Sequence, residues 1–369
     1  MKIMVTGGAG FIGSHLVDAL VNEGHEVVIY DNLDAQVHKK VPDYLNSQAT
    51  FIQKDIRDQS DFKDAMKDVE VIFHEASAVG VGQSMYQVGH YVDVNTLGTA
   101  KMLELLVNEE HSVKKLIMAS SMSIYGEGAY VCEDDGAVHP SGRPEDQLKQ
   151  HDWVMKCPIC NKNTEPIPTS EAKPLIPTSI YAITKKDQEE MCLVIGKTYG
   201  IPTVALRYFN VYGPRQSLNN PYTGVAAIFS SRIKNDNKPL IFEDGKQSRD
   251  FVSVHDIVQA NLLVLKKSEA DYNTYNVGTG IPTSIAQITL TLEKLYGKPE
   301  LGIEIADKYR SGDIRDCYAD ISRLESLGYS PKYTLEDGMK ELVEWGEKQK
   351  AKDDFEAANA ELQKYKLVR

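Results

Sequence analysis

The segment that most restricts the fold is Thr6-Gly7-Gly8-Ala9-Gly10-Phe11-Ile12-Gly13. Residues 2–6 (KIMVT) precede it and read as a short buried strand. Ser14-His15-Leu16-Val17-Asp18-Ala19-Leu20 follows with helical periodicity, and Gly24 ends that helix. Gly7, Gly10 and Gly13 have the spacing G-x-x-G-x-x-G. Glycines at a strand-to-helix turn permit a tight bend. They also let the backbone approach a pyrophosphate and let the helix pack on its strand. The helix N-terminus then offers amide donors and a partial positive charge. A glycine triplet alone is a weak signal, but here a strand precedes it, a helix follows, and an acid ends the next strand.

The rest of the chain repeats the same alternation. His25–Tyr30, Thr50–Gln53, Val69–Phe73 and Lys115–Ala119 read as strands, with helical stretches at 59–67 and 96–109 between them. Thr203–Arg207 and Thr274–Val277 continue the series. This pattern predicts an α/β fold, a doubly wound parallel sheet of the Rossmann type with helices on both faces. Residues 1–207 and 251–280 are assigned to a dinucleotide-binding domain. Residues 208–250 and 281–345 form a smaller α/β substrate domain, and 346–369 a charged tail, either a surface helix or frayed. The 369 residues suffice for two domains.

Asp31 closes the second strand. A carboxylate there accepts the adenosine ribose hydroxyls and repels a 2′-phosphate, so NAD is favoured over NADP. Asp55 and Ile56, after the third strand, are candidates to hold the adenine; a plain loop acid is the competing reading for Asp55. Phe11, Ile12, Asn32 and Ala76 complete the candidate cofactor lining. Tyr181-Ala182-Ile183-Thr184-Lys185 opens a helix and puts Tyr181 and Lys185 on one face. A phenol of pKa about 10 is a poor base; bringing it to about 7 requires roughly 4 kcal/mol. A nearby ammonium favours the phenolate. Lys185 and the positive nicotinamide ring are the expected sources, and Ser121 is the candidate to bridge substrate oxygen and phenol.

In this order the motifs resemble the extended short-chain dehydrogenase/reductases, within the nucleotide-sugar epimerase/dehydratase group. The residues that carry the resemblance are TGGAGFIG (6–13), ASSMSIYG (119–126), PTSIYAITK (177–185), LRYFNVYGPRQ (206–216), SRDFVSVHDI (248–257), NVGTG (276–280) and SGDIRD (311–316). The resemblance implies that Asn95 and Tyr208 line the cofactor site and that Ser121 and Ser123 meet the sugar. Asn210 would contact the substrate diphosphate, with Arg249 and Arg310 pairing its phosphates and Arg215 nearby; a surface ion pair is the plain alternative for each arginine. Dehydratases of the group carry an Asp-Glu pair directly after the position of Ser121, and decarboxylases a glutamate at the second of those positions. Here Met122 and Ser123 stand there. The resemblance therefore favours a 4-epimerase acting on a UDP- or dTDP-linked sugar such as glucose, galactose or rhamnose, through a transient 4-keto sugar. Asn210 replaces a threonine frequent in uronate enzymes, and Glu75 an apolar residue. A net oxidoreductase, a dehydratase, a uronate epimerase or decarboxylase, and a non-catalytic NAD-binding regulator are the alternatives. Relatives pair through helices near 98–110 and 181–197, so a homodimer is expected.

Residues 126–178 stand apart, with seven of the fifteen prolines and Cys132, Cys157 and Cys160. Cys157-Pro158-Ile159-Cys160 resembles a zinc knuckle, with Cys132 as a third ligand and Asp135, His139 or His151 as the fourth; free thiols are the other reading. Because this insert leaves and rejoins beside Ser121 and Tyr181, it is a candidate lid over the sugar. Five scattered cysteines argue against a secreted disulfide framework. With no apolar run long enough for a signal or span, a cytoplasmic protein with no membrane partner is expected. A net charge of −12 argues against nucleic acid.

Overall fold

The computed structural model describes the chain except Thr223, Asp307, Ser311 and Arg369; the first residue of the SGDIRD motif thus lies outside the described residues. Strands β1 (Lys2–Thr6), β2 (Glu26–Asp31), β3 (Thr50–Gln53), β4 (Val71–His74) and β5 (Lys115–Ser121) join Thr203–Tyr208 and Asn273–Val277 in one seven-stranded sheet. Its order runs from Asn273–Val277 through Thr203–Tyr208, β5, β4, β1 and β2 to β3, and every pairing is parallel. The order reverses at β1, the switch point at which doubly wound sheets bind ligands.

Alternation along the strands supplies both faces. Ile3 and Val5 of β1 point to one side, where they meet Leu16, Val17 and Leu20 of helix α1 (Phe11–Asn22) and Ile257 and Val264 of the helix Val254–Lys266. Met4 points to the other, into a cluster with Phe62, Met102, Leu106 and Cys192 from three further helices. With both faces covered, the central strands are apolar throughout. The loops that leave their carboxyl ends carry Gly7, Asp31, Asp55, Glu75, Ser121 and Asn210, so one edge of the sheet collects the candidate site.

The smaller domain pairs Asn210–Tyr212 with Ser248–Ser253, which pairs in turn with Pro282–Ser284 and Asp316–Cys317. Tyr212, Phe229, Ile241, Phe251, Leu292 and Leu342 form its core. Residues 251–253 thus belong to this sheet, and the chain returns to the large domain with the helix Val254–Lys266. The tail is not frayed. The helix Leu335–Lys348 runs past residue 346, and a further helix, Phe355–Lys364, buries Phe355, Ala358 and Leu362 on one face. Leu362 and Val368 pack on Phe242 of the small domain, and Tyr365 stacks on Tyr86 of the large one at 4.2 Å. No helix among the described residues is long and apolar enough to cross a membrane.

Candidate active site

The glycine loop is tight because its packing leaves no room for side chains. Gly7 sits at φ +68°, and a Cβ there would lie 2.8 Å from the Ala76 amide nitrogen; one on Gly13 would lie 2.3 Å from the Gly7 carbonyl oxygen. No side chain caps the N-terminus of α1, so its first amides are left for an anion to accept. Asp31 Oδ2 accepts the Ala9 amide at 3.0 Å and Oδ1 the Leu33 amide at 2.8 Å, which pins the carboxylate beside the loop. Burial raises its pKa, and these amides work against that rise. Cradle, uncapped helix and fixed carboxylate together suit a dinucleotide.

A cleft of about 420 Å³ runs along this edge. Gly7, Gly10, Phe11, Ile12, Gly13, Asp31, Asn32, Asp55, Ile56 and Ala76 line one part. Asp55 is less free than the sequence suggests. Arg57 Nη2 donates to it at 2.7 Å and Asn32 Nδ2 at 2.8 Å, and chiefly the Arg57 bond holds its carboxyl well below the usual range.

Further along the same cleft lie Ser121, Tyr181, Lys185, Tyr208 and Asn210. The helix Ile180–Tyr199 places two of them: Ser179 caps it by accepting the Ala182 amide at 3.1 Å, and the Tyr181 amide donates to Ser84 Oγ at 3.0 Å. Ser121 ends β5, and Ser123 orients it: the Ser123 hydroxyl donates to Ser121 Oγ at 2.9 Å and the Ser123 amide at 3.2 Å. Ser121 also hydrogen-bonds the Tyr181 phenol. The expected lowering of the phenol is not supplied by the protein alone. Burial raises Tyr181, with only the Ser121 bond opposing it, and burial also lowers Lys185 to about 8. A charge brought by the cofactor would have to tip this balance.

Several supporting residues act through contacts that the sequence does not show, and Asn95, expected to line the cofactor site, is not among the cleft residues. Asn95 faces inward from a π-helical turn, Val92–Leu97, a distortion frequent at functional sites. Its side chain accepts the Ala78 amide at 2.7 Å and donates to Thr184 Oγ1 at 3.0 Å, so it braces the Tyr181 helix from behind the cleft wall. His74, held neutral by burial at about 3, bridges Thr6 at 2.8 Å and Thr99 at 2.8 Å. Glu75 enters the cleft and accepts the Tyr208 hydroxyl proton at 2.8 Å, while Asn261 donates to the Tyr208 oxygen at 2.7 Å. Burial pushes Glu75 up to about 7. Only the oddity of an acid at that position hinted at a role.

The arginines separate. Arg215 pairs with Asp18 at 2.7 Å and lies over the Tyr44 ring; Arg249 donates to the carbonyls of Ser248, Ile314 and Arg315. These bonds occupy the Arg249 guanidinium, whereas the buried Nη1 of Arg215 has no partner; neither residue lines the cleft. Arg310 is also outside the lining; it stacks on Phe242, and its buried Nε has no partner. Asn210 Oδ1 is likewise buried without a partner. No residue of the 126–178 insert lines the cleft. Its thiols do converge: Cys132, Cys157 and Cys160 meet Asp135, whereas His139 and His151 lie outside the group and His151 stacks on Trp153 instead.

The sequence pattern of the NAD dependent epimerase/dehydratase family matches residues 3–145 and 157–278, omitting 146–156 inside the insert. The dTDP-L-rhamnose 4-epimerase of Burkholderia thailandensis is 34% identical over 354 residues, which cover 93% of this chain and 94% of that protein. Among solved structures, the UDP-glucose 4-epimerase of Thermotoga maritima with UDP-glucose superposes with a TM-score of 0.77 at 32% identity, covering 94% of this chain and 99% of that one. The UDP-glucuronic acid 4-epimerase of Bacillus cereus, in complex with UDP-glucuronic acid and NAD, gives 0.76 at 29% identity over 94% and 99%. Together with the glycine cradle, Asp31 and the Ser121–Tyr181–Lys185 wall, these matches establish that the chain belongs to the NAD dependent epimerase/dehydratase family.

Proposed function

We propose that the protein is an NAD-dependent 4-epimerase of a UDP- or dTDP-linked hexose. The observation that carries this reading lies beside Ser121. The next position is the buried Met122, and Ser123 spends its hydroxyl on Ser121. Neither supplies the carboxyl acid or base that an elimination of water requires next to the tyrosine.

The chain's own residues then have the following tasks. Tyr181 takes the proton of the sugar 4-hydroxyl, with Ser121 bridging phenol and substrate oxygen. Lys185, below its value of about 8, presents an ammonium that favours the phenolate. The glycine loop and Asp31 would hold NAD, which would supply the hydride acceptor and donor for the sugar C4. Glu75 and Asn261 fix Tyr208 on the opposite wall. Arg310, with its unpartnered buried Nε, and the side-chain amide nitrogen of Asn210 are the groups we assign to the substrate diphosphate. Arg215 and Arg249 hold backbone and α1 in place around it. We also propose a homodimer through the apolar groove of Leu103, Val107, Met191 and Val194, of which Val194 is 61% exposed.

The test is to incubate purified protein, with no cofactor added, with UDP-glucose, UDP-galactose, dTDP-rhamnose and UDP-glucuronate, and to separate products by anion exchange. Interconversion of one epimeric pair is expected. Stoichiometric NADH or a dehydrated sugar would overturn the proposal.

A further inference from the structure

We propose that Cys132, Asp135, Cys157 and Cys160 bind one zinc ion that holds the insert together. The four ligand atoms lie within 4.8 Å of one another. Cys132 Sγ is 3.5 Å from Cys160 Sγ and 3.5 Å from Asp135 Oδ2, and Cys157 Sγ is 3.2 Å from the same oxygen. With Zn–S near 2.3 Å and Zn–O near 2.0 Å, the edges of a tetrahedral site are about 3.8 Å between sulfurs and about 3.5 Å from sulfur to oxygen. The observed spacings are close to these and far above the ~2.05 Å of a disulfide. A soft set of three thiolates and one carboxylate selects zinc over calcium or magnesium.

Two facing turns deliver the ligands. Cys132 ends the strand Ala129–Cys132, and Asp135 lies in the turn before Gly136–Val138. Opposite, Cys157 and Cys160 flank Pro158-Ile159. The Cys157 amide donates to the Lys162 carbonyl at 2.8 Å, the Asn161 amide to the Cys157 carbonyl at 2.9 Å, and the Ile159 amide to Cys157 Sγ at 3.4 Å. Asn161 turns the chain away at φ +63°. An amide aimed at a sulfur stabilises the thiolate a metal requires. Among the described residues Asp135 makes no ion pair; Lys162 pairs with Asp134 instead. A carboxylate turned toward three sulfurs has no evident purpose without a cation between them.

The region also needs such a tie. Its own apolar cluster is Tyr130, Cys132, Val138, Met155 and Cys157, too little to order a proline-rich stretch unaided. Four protein ligands leave no open position, so the ion is structural. It stiffens the segment that joins Ser121 to Tyr181, and Arg143 anchors that segment to Glu243 of the small domain at 2.8 Å.

The experiment is elemental analysis of the full chain, purified without chelator or affinity metal. One zinc per chain is expected, released on titration of the thiols of the folded protein. Removal should speed proteolysis within 126–178 about tenfold, with protection restored by added zinc. Cobalt substituted for zinc should give the intense visible bands of a tetrahedral site with thiolate-to-metal absorption, and Asp135→Asn should shift the visible bands. Cys157→Ser/Cys160→Ser should lose the metal; if that variant fails to fold, the thiol titration of the unmodified chain decides. Metal at background level, with no change in proteolysis or thiol reactivity on adding zinc to reduced protein, would overturn the proposal. Neither result depends on which sugar is turned over.

Discussion

The cofactor half of the cleft and the cysteine insert reach fixed shapes by opposite means. In the first, seven parallel strands with covered faces bury large apolar clusters, and the chemistry sits on the loops and strand ends at one edge. In the second, the one apolar cluster holds five buried side chains. Its order comes from directed contacts instead. Arg143 forks onto both oxygens of Glu243, at 2.8 Å each, and the buried Glu127 accepts the amides of Arg315 and Asp316 at 2.9 and 2.8 Å. The insert lines no part of the cleft, yet it is the covalent path from Ser121 to Tyr181. Chemistry is thus kept on the region whose geometry a large core enforces, and the weaker region is tied down so that its two ends do not drift.

The largest effect is expected at Tyr181. Tyr181→Phe should lower kcat about 10³-fold, within the range for loss of a general base, while the thermal midpoint and the bound nicotinamide content stay unchanged. A loss of folding instead would mean that the phenol is structural. The matching test of the insert is Arg143→Leu, which among the described residues leaves the Glu243 carboxylate with Arg315 as its one ion-pair partner, at 3.0 Å. Breaking a buried pair of this kind costs about 3 kcal/mol, read as a lower urea midpoint, with kcat of the folded fraction little altered. If stability is unmoved, the insert is not anchored there. If kcat falls as far as in Tyr181→Phe, the division of labour is wrong.

The two halves also differed in how far sequence could describe them. Glycine loop, Asp31, Ser121 and the Tyr181/Lys185 pair depend on local order, a strand followed by a turn and a helix, and the structure brings them to one cleft. The even alternation of Ile3, Met4 and Val5 sufficed to place strands on a doubly wound sheet. What escaped depends on distant partners. Arg215 and Arg249 occur in phosphate-binding motifs, but three backbone carbonyls claim Arg249, and Asp18 takes Arg215 through Nη2 while its buried Nη1 keeps no partner. Nothing local to Asn95 announces a π turn. The tail read as either a surface helix or frayed because its apolar residues are sparse; the helix is the outcome, and its support comes from Phe242 and Tyr86, each more than a hundred residues away. The choice of Asp135 over two histidines likewise turned on which loop faces the Cys157–Cys160 turn.

Within the cofactor half, Glu75 tunes the charge of Lys185. Burial holds it at about 7 and Lys185 at about 8, and the Glu75 charge raises Lys185. Glu75→Gln removes that support, so Lys185 loses its proton at lower pH. The alkaline limb of kcat should move down by about 0.5–1 pH unit. Stability responds too. Because the folded Glu75 value lies above its ordinary 4.5, the native protein binds the extra proton and loses stability as pH rises through the window from 4.5 to about 7. Glu75→Gln should therefore be stabilised relative to the unmodified chain at pH 8 but not at pH 4.5, in thermal midpoints measured at both. An unmoved alkaline limb would exclude Glu75 from the electrostatics of Lys185.

The smallest effect lies where the two regions meet. Ser123 follows the end of β5 and precedes the insert, and its hydroxyl donates to Ser121 Oγ at 2.9 Å. With that bond made, the Ser121 proton is directed toward Tyr181 and the substrate oxygen. Ser123→Ala removes one neutral hydrogen bond of about 1 kcal/mol, a loss of about fivefold in kcat. The Ser123 amide still reaches Ser121 at 3.2 Å, so orientation is weakened rather than lost, and KM should hold. A loss as large as that of Ser121→Ala would mean that Ser123 touches the sugar itself. A rise in KM with kcat unchanged would shift its role from aligning the serine to binding the substrate, and the cofactor half would then end one turn later than the sheet edge suggests.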